Sequence, residues 1–456
     1  MFKRVLIANR GEIAARVART CRRLGVSSVG VYSEADAGAY HTTVMDRSEL
    51  VGPAAVRESY LNIPALLEVA TRTGAEAVHP GYGLLSEKVH FARAVEEAGL
   101  VWIGPPPAVL ERLGDKMRSR ATARAAGVSP VPGSDGPVAT LDEARAVAAA
   151  VGYPVLVKPV GGGGGIGMQA VRDEAGLERA MKSSSDRAAQ AFGDPRVYVE
   201  RCVERPRHVE VQLFGDTHGA VVALGERECS VQRRHQKVLE ESPAPAFAGP
   251  EGASHRARIL AAAERLGRAA GYVGAGTCEF LWDGARGEFY FLEVNCRIQV
   301  EHAVTELVLG VDLVEHQLRV ACGEALSGEL LGAVATGHAI EARLCAEDPS
   351  KGFLPRPGEV RELVWPEGEG VRVDAGVAAP GAVTPHYDSM FAKVIAHGRD
   401  RDEALARLSG ALHRAVVAPL VTNLPFLRAV LASDEFRAGA YDTSFAEAFA
   451  KRKPAG

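Results

Sequence analysis

The sequence predicts a multidomain chain in which an α/β layer is followed by α+β parts. Three observations predict it. Residues 1–103 alternate short apolar runs with helical patterns, the mark of a parallel sheet covered by helices. Breaks rich in Gly and Pro divide the chain, at Gly104-Pro105-Pro106-Pro107 and again at Val131-Pro132-Gly133 and Ser134-Asp135-Gly136-Pro137. Its 456 residues correspond to roughly three domains.

The first layer reads as a strand over 4–8, a helix over 11–24, a strand over 28–32, a helix over 61–73 and a strand ending at Val78. A helix over 87–98 and a strand over 100–103 complete it. Ligands gather at the carboxyl ends of strands in such sheets. Asn9-Arg10-Gly11-Glu12 and His79-Pro80-Gly81-Tyr82-Gly83 sit at two such ends. Neither is a GxGxxG fingerprint, and each alone reads as a turn. A single helix over 108–126 carries Lys116, which by itself reads as a solvated charge.

A compact insert follows: a helix over 141–151, a strand over 153–158, a loop over 161–167 and a strand over 168–172. The loop, GGGGGIGM, joins two strands, whereas a P-loop ends in GK[ST] and opens a helix. Successive glycines bring backbone N–H groups close to an anion. Such a loop is costly to order, which suits a lid that closes over phosphates. Lys158 ends the preceding apolar strand and is expected to be partly buried, facing a ligand. Another strand, 196–200, runs into Glu200-Arg201-Cys202-Val203. Residues 207–214 alternate Val209, Val211 and Leu213 with His208, Glu210 and Gln212, which predicts a half-exposed strand with a solvated polar face. The run ECSVQRRHQK, 228–237, is basic within a mildly acidic chain and reads as a local anion site. A helix over 311–322 and a short strand holding Glu341-Ala342-Arg343-Leu344 come next. Turns rich in Pro and Gly then separate β-like segments up to helices over 401–418 and 424–431, a third, α+β domain.

The most informative stretch is GTCEFLWDGARGEFYFLEVNCRIQVEH, residues 276–302. It reads as strands over 277–282 and 288–295 joined by a Gly-rich turn. Glu293, Asn295, Arg297, Gln299 and Glu301 share one parity, so a backbone extended past Asn295 projects them to one side. Across the turn Glu279 stands in an apolar run, where a carboxylate is costly unless it is paired or binds a metal. Two carboxylates and an amide make an oxygen-only donor set that suits Mg²⁺.

Composition narrows the function classes. Apolar residues make up 47% and charged residues 24%, ordinary for a soluble globular protein. The net charge of −4 gives no global field for nucleic acid. Seven cysteines without CxxC spacing fit a reducing cytoplasm. The short apolar stretch before Asn9 and Arg10 is not a signal peptide, and no run of about 18 apolar residues suggests a membrane span.

Taken together, the residues resemble the biotin carboxylase family of the ATP-grasp superfamily. The resemblance covers essentially the whole chain. It rests on VLIANRGEIAARV, VHPGYGLLSE, GDKMRSR, the Gly-rich loop, RHVEVQ, ERECSVQRRHQKVLEESPAP, GTCEF, FLEVNCRIQVEHAVTE, EARLCAEDP and YDSMFAKVI. It implies a Rossmann-like pre-ATP-grasp domain over 1–114, an ATP-grasp domain over 115–330 with a mobile lid at about 132–203, and a C-terminal α+β domain over 331–446. It also implies ATP-dependent carboxylation of biotin by bicarbonate through carboxyphosphate, the first half-reaction of acetyl-CoA or acyl-CoA carboxylase in fatty acid biosynthesis. The family's ATP contacts fall on Lys116, Lys158, Gly164, Gly165, Glu200, Val203, His208 and His235. Its two-metal site, for Mg²⁺ or Mn²⁺, falls on Glu279, Glu293 and Asn295. Bicarbonate falls to Lys237, Arg297, Gln299 and Val300, with Glu301 as general base. Arg343 would stabilise the oxyanion of deprotonated biotin, and Tyr82 would pack against the biotin ring.

Some positions depart from the family. Ile166 stands where Lys or Arg is usual, Leu84 where Phe is, and Lys88 where Asn is. The Gly-rich loop looks more like urea-type carboxylases, whereas His235 and the segment at Tyr387 look more like the acyl-CoA carboxylase branch. A biotinyl Met-Lys-Met turn is missing; Ala180-Met181-Lys182-Ser183 falls in a helical pattern. The expected partners are therefore a separate biotin carboxyl carrier protein, carboxyltransferase subunits and a second copy in a homodimer, without nucleic acid or membrane. The competing readings are another ATP-grasp ligase, such as one making carbamoyl phosphate, and a nucleotide-binding subunit with a decayed site.

Overall fold

The computed structural model describes residues 1–161, 166–234 and 236–452. The chain opens with β1 (Arg4–Ile7), α1 (Gly11–Arg23), β2 (Ser27–Ser33), α2 (Tyr40–Val44), β3 (Arg47–Gly52), α3 (Ile63–Thr73), β4 (Ala77–His79), α4 (Val89–Glu97) and β5 (Val101–Trp102). The strands form one parallel sheet in the order β3-β2-β1-β4-β5. Val5, Leu6 and Ile7 are fully buried, as helices on both faces require. The sequence reading passed over β3. Its RSELVG pattern is too polar for a central strand and suits the sheet edge it occupies. Because β1 and β4 are neighbours, the turns after them meet. Asn9 Nδ2 donates to the carbonyls of Pro80 at 2.7 Å and Tyr82 at 2.8 Å. Gly81, at φ +62°, permits this approach; a Cβ there would lie 2.8 Å from the Asn9 amide nitrogen.

The helix expected over 108–126 is two helices, α5 (Pro107–Gly114) and α6 (Lys116–Ala125). Asp115 between them is extended, and its side chain caps α6 by accepting from the Arg118 N–H at 2.8 Å. The insert contains α7 (Leu141–Val151), β6 (Val155–Pro159), β7 (Gln169–Val171), α8 (Leu177–Phe192) and β8 (Val197–Arg201). Thr140 and Glu143 form a capping box that fixes the start of α7. Strands β7-β6-β8 make an antiparallel sheet with its own core, including Ala144, Val155, Val157, Leu177 and Val199.

The rest is built on β9 (Arg207–Gly215), β10 (Val221–Arg233), β11 (Gln236–Ser242), α9 (Gly252–Ala270), β12 (Gly274–Asp283), β13 (Glu288–Asn295), α10 (His302–Leu309), α11 (Leu313–Ala321) and β14 (His338–Cys345). An eight-stranded antiparallel sheet runs β13-β12-β9-β10-β11-β14 and continues through Met390–Gly398 to Val371–Ala375. The sheet therefore passes without interruption across the boundary expected at 330.

Two expectations are corrected here. Strand β9 is not half-exposed, since it pairs with both β10 and β12 and its polar face is buried: Glu210 and Gln212 are 0% exposed and His208 is 7%. The helix expected over 401–418 ends at Arg414, because Val416–Ala418 pairs as a strand with Glu362–Val364. The β-branched pair Val416-Val417 favours that outcome. Among the described residues no helix is long and apolar enough to cross a membrane.

The N-terminal layer is tied to the large sheet by both apolar and ionic contacts. One core holds Leu6 and Trp102 together with Val209 and Phe280. Buried Arg16 on α1 donates to Glu306 of α10 and to Asp312 just before α11, each at 2.8 Å. Glu306 also accepts from Arg372 at 2.7 Å. Removing one partner of a buried ion network leaves an undercompensated charge. Arg16→Met is expected to cost about 3 kcal/mol of stability, read as a lower urea midpoint at neutral pH; an unchanged midpoint would show that the joint does not depend on this pairing.

Candidate active site

Strands β12 and β13 set Thr277 opposite Asn295 and Glu279 opposite Glu293. Like charges directly opposed across a strand pair repel each other unless a cation lies near. Glu293 is exposed, whereas Glu279 is 7% exposed and fully engaged. Glu279 Oε1 accepts from Lys237 Nζ at 2.9 Å, Asn295 Nδ2 at 2.9 Å and Gln299 Nε2 at 3.1 Å. Its Oε2 lies 3.2 Å from His208 Nε2. Burial alone would raise the proton affinity of Glu279, but Lys237 and His208 outweigh it and hold the carboxyl well below the usual range. Burial likewise lowers His208, yet Glu279 outweighs it and the imidazole is shifted up. Contrary to the extended chain expected through Glu301, β13 stops at Asn295 and residues 296–300 are irregular. The side chains still converge, since Arg297 Nη2 donates to Asn295 Oδ1 at 3.1 Å. Two opposed carboxylates beside an amide oxygen fit a hard divalent cation such as Mg²⁺.

Lys237, at the start of β11, is the hub of the site. Its Nζ lies 2.5 Å from Glu210, 2.9 Å from Glu279, 3.0 Å from Gln299 and 2.6 Å from Glu301. The basic run of the sequence thus folds its one lysine inward, toward carboxylates. Glu210 is shared with Arg227, fully buried, whose guanidinium also reaches Gln212, Thr305 and Thr277 at 2.7 to 3.0 Å. Burial works against the Lys237 ammonium, but Glu210, Glu279 and Glu301 reverse that and raise its proton affinity far above normal.

Glu301 is 1% exposed and bridges two cations. Oε1 faces Lys237, and Oε2 accepts from Arg343 Nη2 at 3.0 Å. Burial pushes its proton affinity up, but Lys237 and Arg343 hold it well below the usual carboxylate range, so it stays ionised. Arg343 on β14 also donates to Glu240 at 2.5 Å. The Val300 carbonyl accepts from the fully buried Lys393.

On the neighbouring insert, Lys158 pairs with Glu200 at 2.8 Å, and Arg120 reaches the other oxygen of Glu200 at 3.1 Å. Burial would lower Lys158, but Glu200 and Tyr198 shift it upward. Lys116 opens α6, and burial lowers its proton affinity although Glu293 opposes the shift. Val203 is buried against Val131 and Tyr290. Gly164, Gly165 and His235 lie outside the described residues. Tyr82 donates to Glu12 of α1 and so is held at the meeting point of the β1 and β4 turns.

The sequence reading missed Glu87, Arg227, Glu240 and Lys393 as site residues. Glu87 accepts from Arg297 Nε at 3.0 Å and from the Cys296 N–H at 2.8 Å, fixing the irregular segment from the N-terminal layer. Its only signal was its place in VHPGYGLLSE.

Comparison with known proteins identifies the family. Residues 1–110 match the family model "Biotin carboxylase, N-terminal domain", residues 115–329 match "Carbamoyl-phosphate synthase L chain, ATP binding domain", and residues 341–448 match "Biotin carboxylase C-terminal domain". Biotin carboxylase 1 of Bacillus subtilis is 45% identical over 449 residues, covering 98% of this chain and 99% of the relative. A pyruvate carboxylase subunit of Methanothermobacter thermautotrophicus is 47% identical, covering 98% and 90%. The crystal structure of a biotin carboxylase–beta-gamma-ATP complex from Campylobacter jejuni superposes with a TM-score of 0.93 at 41% identity, covering 98% and 99%. The biotin carboxylase domain dimer of Hydrogenobacter thermophilus 2-oxoglutarate carboxylase, bound to MgADP, ADP and bicarbonate, superposes with a TM-score of 0.92 at 40% identity, covering 99% of each chain. Three family models in register, and relatives matched from end to end, show that the chain belongs to the biotin carboxylase family, with an ATP-grasp domain at its centre.

Proposed function

We propose that the chain carboxylates biotin with bicarbonate at the expense of ATP, through carboxyphosphate. One observation carries this reading: the Glu301 carboxylate is held between Lys237, beside the opposed acids, and Arg343 on the adjoining strand. A base between two cations serves two anionic partners in sequence. Nucleotide binding falls to Lys116, Lys158, Glu200, Val203 and His208, with Gly164, Gly165 and His235. Glu279, Glu293 and Asn295 would hold the divalent ions. Such ions neutralise the terminal phosphates and the transferred phosphoryl group.

Bicarbonate is placed on Lys237, Arg297, Gln299 and Val300. Glu301 takes its O–H proton, and the freed oxygen attacks the terminal phosphorus while the bond to ADP breaks. Binding an anion at Lys237 and Arg297 divides the lysine's charge, which raises the proton affinity of Glu301 when it must accept a proton. Carboxyphosphate then releases CO₂ and phosphate. The phosphate takes the proton of the biotin ring nitrogen, that nitrogen forms its bond to CO₂, and Arg343 stabilises the oxyanion of the deprotonated ring, an oxyanion-hole role. Tyr82 packs against the biotin ring. The biotin arrives on a separate carrier protein, and carboxyltransferase subunits consume the product, in acetyl-CoA or acyl-CoA carboxylation and so in fatty acid synthesis. A homodimer in the cytoplasm is the working form; the Hydrogenobacter domain, a dimer, supports the assembly. Relatives named for pyruvate, methylcrotonoyl-CoA and 2-oxoglutarate carboxylation support an acceptor chosen by the partner and not by this module.

The reading is tested by bicarbonate-dependent ATP hydrolysis, which free biotin should stimulate in the presence of Mg²⁺. Absence of stimulation at every Mg²⁺ concentration overturns it. Glu301→Gln should retain ATP affinity yet lose about 10²–10⁴-fold of bicarbonate-dependent turnover; wild-type turnover would remove the base assignment. Glu293→Gln, one charged ligand fewer, should raise the Mg²⁺ concentration for half-maximal turnover about tenfold, and an unchanged Mg²⁺ requirement would move the metal site elsewhere.

A further inference from the structure

Beneath Arg343 lies a second pair of acids that the proposed reaction does not use. Glu240 on β11 and Glu341 on β14 are directly opposite each other in the strand register. Both are buried, at 1% and 0% exposure. Glu240 Oε1 accepts from Arg343 Nε at 2.5 Å. Its Oε2, and both oxygens of Glu341, have no hydrogen-bond partner among the described residues. The nearest cation to Glu341 is Lys393 Nζ, at 4.0 Å. That ammonium is divided among the Val300 carbonyl, Glu12 at 3.8 Å and Asp374 at 3.9 Å. Two buried carboxylates facing each other with three unpartnered oxygens would repel one another at high cost.

We propose that Glu240 and Glu341 act as one positioning unit that keeps a single proton: Glu341 stays neutral, and the Glu240 carboxylate thereby anchors Arg343 for biotin. A proton on Glu341 removes the repulsion and leaves one negative charge, where Arg343 can use it. Were both acids ionised beside Glu301, three carboxylates would surround one guanidinium and quench the field it offers an oxyanion. Were both neutral, Arg343 would lose its charge-assisted bond and be drawn toward Glu301.

The surroundings support the split. Burial is the main cause that lifts Glu240 to about 7, with Arg343 opposing it. Burial lifts Glu341 well above the usual range, against Lys393. The groups that face the pair are Arg343 on β14, Lys237 on β11, Cys229 on β10, Lys393 on the strand Met390–Gly398, Glu301 before α10, and Tyr82 from the N-terminal layer. The pair titrates as a unit. As pH falls through about 7, Glu240 takes up a proton and the anchor of Arg343 is lost; above it one proton remains, on Glu341.

The inference rests on the reading of Arg343 as the biotin-facing group, and two measurements keep the two apart. Infrared difference spectra of the whole enzyme at a pH well above that at which Glu240 titrates, wild type minus Glu341→Gln, should show the C=O band of a protonated carboxylic acid. A difference that shows only ionised carboxylate overturns the proposal, as does a wild-type spectrum with no protonated-acid band. The second is the pH profile of biotin-dependent kcat/KM. In the wild type it should fall on the acid side near pH 7. Glu240→Gln should lose that limb, with a plateau about tenfold lower and an unchanged KM for ATP. A limb that persists in Glu240→Gln overturns the anchor. If Arg343 does not face biotin, Arg343→Lys leaves the KM for biotin at its wild-type value while the infrared difference remains.

Discussion

A single ammonium group organises this molecule. Lys237 binds three buried carboxylates from three places in the chain: Glu210 of β9, Glu279 of β12 and Glu301 from the segment before α10. Such a cluster is a poor way to gain stability. Desolvating several ions costs much of what their attraction returns, and apolar residues would serve as well. The arrangement therefore makes sense only for its chemistry. It maintains a positive site beside a pair of opposed acids, keeps Glu301 ionised, and leaves Glu293 exposed. Arg227 is the counterweight. Its guanidinium takes Glu210 as Arg343 takes Glu301 and His208 lies against Glu279, so each acid of the cluster has a second partner besides the lysine.

The sequence was most readable where local pattern decides the outcome. The β12–β13 hairpin and the strand–helix alternation of the first layer follow from period and turn chemistry, and the structure has them, whereas the opposition of Glu279 to Glu293 depends on a register shift beside Phe280 that the period does not show. Reading failed where pairing across the sheet decides. The polar face of β9 carries the same alternation as a solvated edge strand; only two neighbouring strands and Arg227 make it interior. Glu240 and Glu341 are hidden for the same reason, since nothing in either segment says that they will be opposed. Glu87 could be found only through a resemblance, because it reaches the site from the other layer. Asp115 shows the opposite failure, a visible capping residue overridden by an apparently continuous helical pattern.

The site is assembled from parts that no single region contains. Arg297 is oriented by Glu87 of the N-terminal layer, Glu301 by Lys237 of the central sheet, and Arg343 stands on a strand beyond the boundary expected at 330. Lys393 gathers the same three regions from below: it donates to Val300, and it lies near Glu12 and Asp374. Continuity of the eight-stranded sheet is what makes this possible, because Arg343 and Lys237 stand on paired strands and cannot move independently. The insert differs. Its three-stranded sheet has a separate core, and it is joined to the rest where Arg120 of α6 reaches buried Glu200 and where Arg201 meets Tyr290 of β13. The fold thus sets a continuous sheet that carries the charge cluster beside an insert with a core of its own. Lys158 and Glu200 pair with each other on the insert, apart from the Lys237 cluster, and Arg120 of α6 takes the second oxygen of Glu200, so this buried carboxylate is balanced from both sides where the insert meets the rest.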